Sequence, residues 1–353
     1  MQYFEFLNKI LKEVENETVS MSIDGEYAIF KYKDSCQYDK NWNDINKECR
    51  GIIWHLPTKK LIARPFAKFW NLNEFEYLKI ENLPFNEPHI IWEKLDGSMV
   101  SVFLDINGKI KCATPGSLIS EQSKWAKNWL EEFFTINGNY HQFLHKLEEH
   151  TFIFEAIYPE NLIVVNYGQR TELVLLAVRK LNGEELHPNI VDEIARQFNF
   201  SRPRRYNFII DGLQTIPFES NSEGYVVHWP EKSLRVKIKG EEYTQLHRLR
   251  STFSLKGVCE ALSEGNYGKL YSVLPNHLRT ISDDIAAQLR TKFFTLKADV
   301  IAAYDSIKDL PTRKEKAIKI QKSFPKHLWS HLFCNLDNKL TDRDLWMAIY
   351  NEI

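Results

Sequence analysis

The sequence predicts an α+β fold of mixed, largely antiparallel sheets with flanking helices, followed by an all-helical C-terminal domain. Three observations carry that expectation. Between about residues 19 and 240, short runs of strand length alternate with turn residues. After about residue 245 the strand pattern stops and apolar residues recur at helical spacing. The chain of 353 residues, 43% hydrophobic and 13% aromatic, is long enough to bury a sizeable core in two domains or three. The change of texture divides it into a domain of residues 1–245 and one of residues 246–353.

The elements follow in order. MQYFEFLNKILKEVEN, residues 1–16, reads as an amphipathic helix. VSMSIDGEYAIFKYK, with Asp24-Gly25 at its centre, reads as a hairpin. RGIIWH and KLIARPF flank the turn LPTK, and VSVFLDINGKIKCAT folds about Asn107-Gly108. Further strands are expected in TFIFEAI, LIVVNYG, ELVLLAVRKL, SEGYVVHW and SLRVKIK, with helices near 120–135, 140–149 and 190–199. In the C-terminal part SDDIAAQLRTKFFTLKADVIAAY, TRKEKAIKIQKSF and TDRDLWMAIYNEI read as helices, with Ser282, Thr312 and Thr341 as N-caps.

Composition excludes several classes. No apolar run reaches the roughly eighteen residues of a membrane span, and the acids in the first helix argue against a signal or transit peptide, so the expected compartment is the cytoplasm. Cys36, Cys49, Cys112, Cys259 and Cys334 form no CxxC pair and no zinc spacing, which fits free thiols in a reducing compartment. A net charge of −1 does not by itself announce a nucleic-acid partner.

Chemistry enters with EKLDGSMV, residues 93–100, which breaks the chain between the apolar runs HIIW and VSVFL. A lysine at a strand end ordinarily reaches solvent. Alternatively Lys94 is a nucleophile, which requires a neutral amine, and a crowd of other cations favours that form. Such a crowd exists in SLRVKIK, where Arg235, Lys237 and Lys239 alternate with Leu234, Val236 and Ile238, so that period two puts three cations on one strand face. Just upstream, Glu223 stands where a carboxylate among lysines could hold a divalent metal.

Taken together, Lys94-Leu-Asp96-Gly97, Glu155 in FEAIYPENLIVV, LLAVR, Glu223-Gly-Tyr-Val and Lys237-Ile-Lys239 resemble, in order, the motifs of the covalent nucleotidyltransferases: DNA ligases, RNA ligases and capping enzymes. RGIIW around Arg50, RPFAKFWNLNE around Lys68, KLDGSMVS and GSLISEQ narrow the resemblance to the phage-type RNA ligase 1 family, over about residues 45–250. The helical C-terminus is in keeping with that family, since DNA ligases and capping enzymes continue into a β-rich domain. One departure stands out: the family carries a lysine before the glycine of GS, where this chain has Pro115. A neighbouring cation such as Lys111 is one substitute; a different grip on the triphosphate is the other.

The resemblance implies a nucleotidyltransferase fold and an ATP-dependent RNA ligase in which Lys94 attacks the α-phosphorus of ATP to give lysyl-AMP. It implies that Arg50, Lys68, Lys237 and Lys239 contact the phosphates, that Glu155 contacts the ribose, and that Leu176 and Val226 sandwich adenine. Tyr243 resembles a further phosphate-site residue, and Glu223 would orient Mg²⁺. AMP then passes to a 5′-phosphate on RNA, and a 3′-hydroxyl displaces it. The implied partner is RNA, with the nicked anticodon loop of tRNA as substrate. GNYGK at 265–269 lacks the spacing of a P-loop, so an end-healing kinase and phosphatase are expected as separate proteins.

Other features have blander readings. His141 and His145 share a helix face but have no apparent third zinc ligand. RPRRY at 202–206 suits an RNA backbone and a stacked base, or simply solvent. The rival readings of the whole chain are a DNA-joining or capping enzyme, and a non-catalytic RNA-binding relic. The intact Lys94 and motif lysines speak against the relic.

Overall fold

Three sheets, with helices laid against two of them, make up the first part of the chain in a computed structural model that describes residues 2–252, 255–272, 274 and 276–353. In the first sheet β1 (Val19–Asp24), β2 (Tyr27–Tyr32), β3 (Arg50–His55) and β4 (Lys60–Ala63) form an antiparallel meander. The third joins, in spatial order, β11 (Arg205–Tyr206), β6 (Ile90–Glu93), β12 (Gly224–Trp229), β13 (Leu234–Lys239) and β5 (Trp70–Asn71), with only β13 and β5 parallel. The second, antiparallel sheet, β10 (Glu172–Lys180), β9 (His150–Ile157), β7 (Ser98–Leu104) and β8 (Ile110–Ala113), is inserted in chain order between β6 and β11 of the third. The fold is therefore mixed α+β, as the strand and turn spacing predicts.

Local chemistry explains the joints. At the β7–β8 turn the Asp105 carboxylate accepts from the backbone N–H groups of Asn107 and Lys109, both at 2.9 Å, while Gly108 takes φ +72°. Helix α1 (Gln2–Glu15) buries Leu7 and Ile10 against the first sheet beside Trp54, and α2 (Asp34–Tyr38) follows β2. Helices α3 (Glu121–Asn137), α4 (Tyr140–Leu147) and α5 (Pro188–Phe198) cover the second sheet. Ser120 caps α3 by accepting from the Ser123 N–H, and Pro188 supplies the preset φ of a first helical turn. The core beneath them contains Leu130, Phe143, Phe152, Phe154 and Phe198, each contributing about 1.5–3 kcal/mol by leaving water.

The described residues fall into two compact units, Met1–Thr244 and Gln245–Ile353. In chain order α6 (Glu241–Thr252), α7 (Leu255–Ser263), α8 (Tyr267–Ser272), α9 (Asn276–Asp305), α10 (Arg313–Ser323), α11 (Lys326–Leu336) and α12 (Asp342–Glu352) follow β13. The second unit packs Val258, Leu289, Leu332 and Ile349 into its own core. Thr312 caps α10, and Thr341 with Asp344 forms a capping box on α12.

Two expectations need correcting. Ser282 caps nothing: α9 starts at Asn276, and the Ser282 hydroxyl is buried within it, 2.6 Å from the Tyr267 hydroxyl. LIVVNYG is not a strand but part of a loop, because the N–H groups of Val164 and Val165 donate to the Asp96 carboxylate at 2.7 and 2.8 Å instead of to a ladder.

Candidate active site

Strand β6 ends at Glu93, and the Lys94 N–H donates to the Gly224 carbonyl at 2.9 Å. That bond fixes the origin of the Lys94 side chain beside the start of β12. The turn that follows is held from three directions. The Asp96 carboxylate accepts from Val164, from Val165 and from the Tyr243 hydroxyl at 2.7 Å, and is 4% exposed. The Gly97 N–H donates to Glu155 Oε1 at 3.0 Å. A Cβ on Gly97 would stand 2.5 Å from the Ala156 carbonyl oxygen, so only glycine permits this approach to β9. Asp96 and Gly97 thus position Lys94.

Glu223 is the hub. Its carboxylate is 3% exposed and accepts from Lys94 Nζ at 2.6 Å and from Lys239 Nζ at 3.0 Å. Burial pushes its carboxyl up, but the ammonium groups of Lys94 and Lys239 prevail and hold it below the usual range. Gly224, next to it, takes φ +130°, where a Cβ would lie 2.1 Å from the Ile238 carbonyl oxygen. The close pairing of β12 with β13 therefore requires the glycine of Glu223-Gly-Tyr-Val.

Around this pair the structure collects the other cations. Lys237 is pushed well below the usual lysine range, first by burial and then by Arg50, Lys94, Lys68 and Lys239. Its ammonium lies 4.6 Å from the Phe69 ring centroid, which Arg50 approaches at 5.6 Å. Lys68 is lowered by burial and donates to Gln37 Oε1 at 2.8 Å. Arg235, however, does not join them: Glu185 binds its guanidinium through two nitrogens. The three-cation face read from the sequence is thus a pair, Lys237 and Lys239, completed by Arg50 and Lys68 from other elements.

By formal charge five basic side chains then share the site with Glu155, Glu223, Asp96 and, beside Lys68, Glu74. The positive charge is in excess. Arg50 Nη1 is buried without a hydrogen-bond partner among the described residues, and an orphaned cationic donor in such a place is complementary to a phosphate oxygen. For a divalent cation the donor set is thin: among the described residues no group of three or more His, Cys, Asp or Glu side chains converges. Glu223 with Glu155 nearby fits Mg²⁺, which keeps several waters and needs only one or two carboxylates.

Glu155 is raised to about 7, first by burial, with Lys94 opposing and Glu223 reinforcing the shift. Its unfolded value is about 4.3. Between those values the folded chain keeps a proton that the unfolded chain has released, so this group's contribution to stability falls as pH rises through that window. Glu155→Gln should accordingly gain melting temperature relative to the wild type as pH rises from about 4.3 to about 7, the two ends of that window, measured without nucleotide. A pH-independent difference would refute the shift.

Beside the cations lies a cleft lined by Leu176, Val226, Trp92, Phe66, Phe69 and His228. Val226 pairs with Trp92 on one side and Lys237 on the other, which makes one row across the third sheet. Leu176 reaches the cleft because β10 bulges between Leu175 and Ala177. Arg202 holds the bulge by donating to the Leu175 and Leu176 carbonyls, and its guanidinium stacks on Trp92 at 4.8 Å. Burial, followed by Arg235, pushes His228 down to about 2, so it lines the cleft as a neutral ring.

All ten site residues named from the sequence, Arg50, Lys68, Lys94, Glu155, Leu176, Glu223, Val226, Lys237, Lys239 and Tyr243, lie at this cleft, its cations or the Asp96 anchor. Sequence reasoning missed Trp92, Phe66 and Phe69. HIIW offered a signal for the first, since Trp92 lies two residues before Lys94. RPRRY does not form an open basic patch: Arg202 and Arg205 bind Asp192, and Arg204 binds Glu219. His145 pairs with Glu148 on the surface. Pro115 packs on Gly51, whose Cβ would lie 2.8 Å from the Pro115 Cα. Lys111 is exposed on β8, whereas Lys31, directly across from Arg50, passes Gly116.

Comparison with known proteins gives the following. The RNA ligase family model matches residues 48–243. An RNA ligase of Rhodothermus phage RM378 is 25% identical over 84% of this chain and 82% of its own length. A putative RNA ligase of Thermovibrio ammonificans is 29% identical over 68% of this chain, which spans 63% of that relative. Among solved structures, a Naegleria gruberi RNA ligase mutant with AMP and Mn aligns at TM-score 0.38 and 15% identity, over 45% of this chain and 52% of that one.

Proposed function

This chain belongs to the RNA ligase family, and on that premise we propose that it joins a 3′-hydroxyl to a 5′-phosphate on RNA, using ATP, with AMP carried on Lys94. The observation that supports this most is the contact of Lys94 with Glu223 inside a group of cations that the protein's own carboxylates do not neutralise.

In the first step the Lys94 amine, having shed its proton, attacks the α-phosphorus. A P–N bond forms as the P–O bond to pyrophosphate breaks. Phosphoryl transfer of this kind is helped chiefly by positioning and charge neutralisation, which assigns Arg50, Lys68, Lys237 and Lys239 to the phosphate oxygens. Glu155 takes the ribose, and Leu176 and Val226 hold the adenine against Trp92. Tyr243 acts through Asp96, as a positioning residue. Glu223 would hold Mg²⁺, which when bound would supply further neutralisation of phosphate charge. An RNA 5′-phosphate oxygen then attacks the same phosphorus and frees Lys94. Finally the 3′-hydroxyl oxygen attacks the 5′-phosphorus, and AMP leaves.

Incubation with ATP labelled in the α-phosphate tests this reading. Label should become covalently bound as a phosphoramidate, stable to base and labile to acid; a chain that takes up none is not such a ligase.

The substrate we propose is RNA broken in a hairpin loop of the tRNA anticodon type, with separate proteins healing its ends. Every residue assigned to ATP lies in the unit Met1–Thr244, so a chain ending at Arg250 should still form lysyl-AMP. It should lose selectivity, because single-strand contacts are sequence-tolerant and choice among RNAs then needs a second surface that reads shape. A competition at fixed salt between a nicked tRNA-like hairpin and an unstructured RNA with the same ends measures this. Unchanged selectivity in the shortened chain would place substrate choice in the first unit.

A further inference from the structure

Between β9 and β10 the chain makes a fourteen-residue excursion, 158–171, with no element beyond the single turn Pro159–Asn161. Loops of about this length inside compact domains are commonly functional. This one is firmly anchored to the reactive turn. Val164 and Val165 donate to Asp96, the Asp96 N–H donates to the Tyr167 hydroxyl at 2.8 Å, and Ser98 Oγ donates to Asn161 Oδ1 at 2.9 Å. Asn221 holds it from the other side, accepting from the Asn166 N–H and donating to the Asn166 carbonyl, each at 2.9 Å.

Despite those bonds the loop borders an open cavity of about 290 Å³, with Asp96 and Ile157 in its lining together with Tyr158, Tyr167, Gln169 and Arg170. None of its lining residues lines the cleft of Leu176 and Val226. The two hollows therefore lie apart from each other, and this one adjoins Lys94 through Asp96. Its chemistry differs from that of the cation cluster. Glu172 offsets the charge of Arg170, whose guanidinium lies 5.6 Å from the Tyr167 ring centroid, so the cavity is not built for a phosphate chain. The Tyr167 ring offers stacking, Tyr158 being buried with its own ring stacked on Trp125 at 4.1 Å, and the Gln169 amide, exposed and without a hydrogen bond among the described residues, offers a donor and an acceptor. That combination suits a nucleoside.

We propose that this cavity holds the terminal nucleoside of an RNA strand about to be joined. The proposal rests on the RNA ligase reading and adds to it a second nucleoside subsite, on the loop 158–171.

Binding to the full chain tests it without relying on turnover. The probes are two fluorescent oligoribonucleotides, one 5′-adenylated and one ending in a free 3′-hydroxyl, titrated against wild type, Gln169→Trp, which fills the cavity, and Gln169→Ala, which removes the amide. Melting temperature controls for folding. For one of the two probes the dissociation constant should rise about tenfold or more in Gln169→Trp and about threefold in Gln169→Ala, the scale of one lost stacking or hydrogen-bonding contact. The probe that responds identifies which RNA end occupies the cavity. Dissociation constants within about twofold of wild type for both probes in folded Gln169→Trp, below what one such contact is worth, overturn the proposal. Failure of the ligase reading shows separately, as a wild-type chain that takes no label from ATP.

Discussion

Lys94→Arg should abolish lysyl-AMP formation while leaving the sealing of pre-adenylated RNA at least partly intact. The reason is chemical. Arginine keeps the charge that meets Glu223 at 2.6 Å but stays protonated at any accessible pH, so it offers no lone pair to the α-phosphorus. On the proposed reading, sealing from RNA that already carries AMP requires no nucleophile at this position, only the cation cluster and the cleft of Leu176 and Val226, which the substitution leaves in place. Intact mass after incubation with ATP and Mg²⁺ measures the first effect, and gel-resolved sealing of adenylated RNA the second. The effect should be all or none, since Lys239, the other amine on the Glu223 carboxylate, is assigned to the phosphate oxygens and not to the attack. Peptide mapping that placed AMP on Lys237 or Lys239 would reassign the nucleophile.

Much of this site was legible because its parts repeat a local rule. Lys94, Glu223, Lys237 and Lys239 each interrupt or alternate with an apolar strand, and a charge in such a place needs a reason. What no local pattern could supply is the pairing itself, since Lys94 and Glu223 lie 129 residues apart in the chain. The same limit explains RPRRY. Its positive charge is evident in sequence, but the carboxylates that cancel it, Asp192 and Glu219, sit ten or more residues away and are brought in by α5 and by the loop before β12.

Other limits of the sequence share a cause: backbone groups are satisfied by side chains. LIVVNYG has the composition of a strand, yet its N–H groups turn to Asp96, a bond that only the folded chain makes. Leu176 is named for the cleft by resemblance; the strand pattern of ELVLLAVRKL does not show the bulge that turns it there, which Arg202 holds by bonding the carbonyls of Leu175 and Leu176. These positions support the site; where sequence rules fail, local structure is bent toward function.

The second large effect is expected at the phosphate grip. Lys237→Met keeps an apolar stem over Phe69 and removes the ammonium, and Lys239→Ala removes the second donor to Glu223. Each should slow lysyl-AMP formation by more than tenfold, because removing one preorganised transition-state contact costs about 2.7–4 kcal/mol in such sites. Stability separates this from a structural role. Lys237 is buried among Arg50, Lys68, Lys94 and Lys239, which disfavour its charged form, so replacing it relieves like-charge repulsion and should not lower the melting temperature of the nucleotide-free protein. Lys232→Ala, in the turn Pro230–Lys232 and paired with Glu87 at 3.0 Å, is a cation of the same strand pair outside the cluster and should leave the rate near that of wild type. Equal rates in all three variants would mean that these cations serve the fold alone. Slow lysyl-AMP formation in Lys237→Met and Lys239→Ala but not in Lys232→Ala, with stability unimpaired in Lys237→Met, is the pattern that a triphosphate-binding role produces.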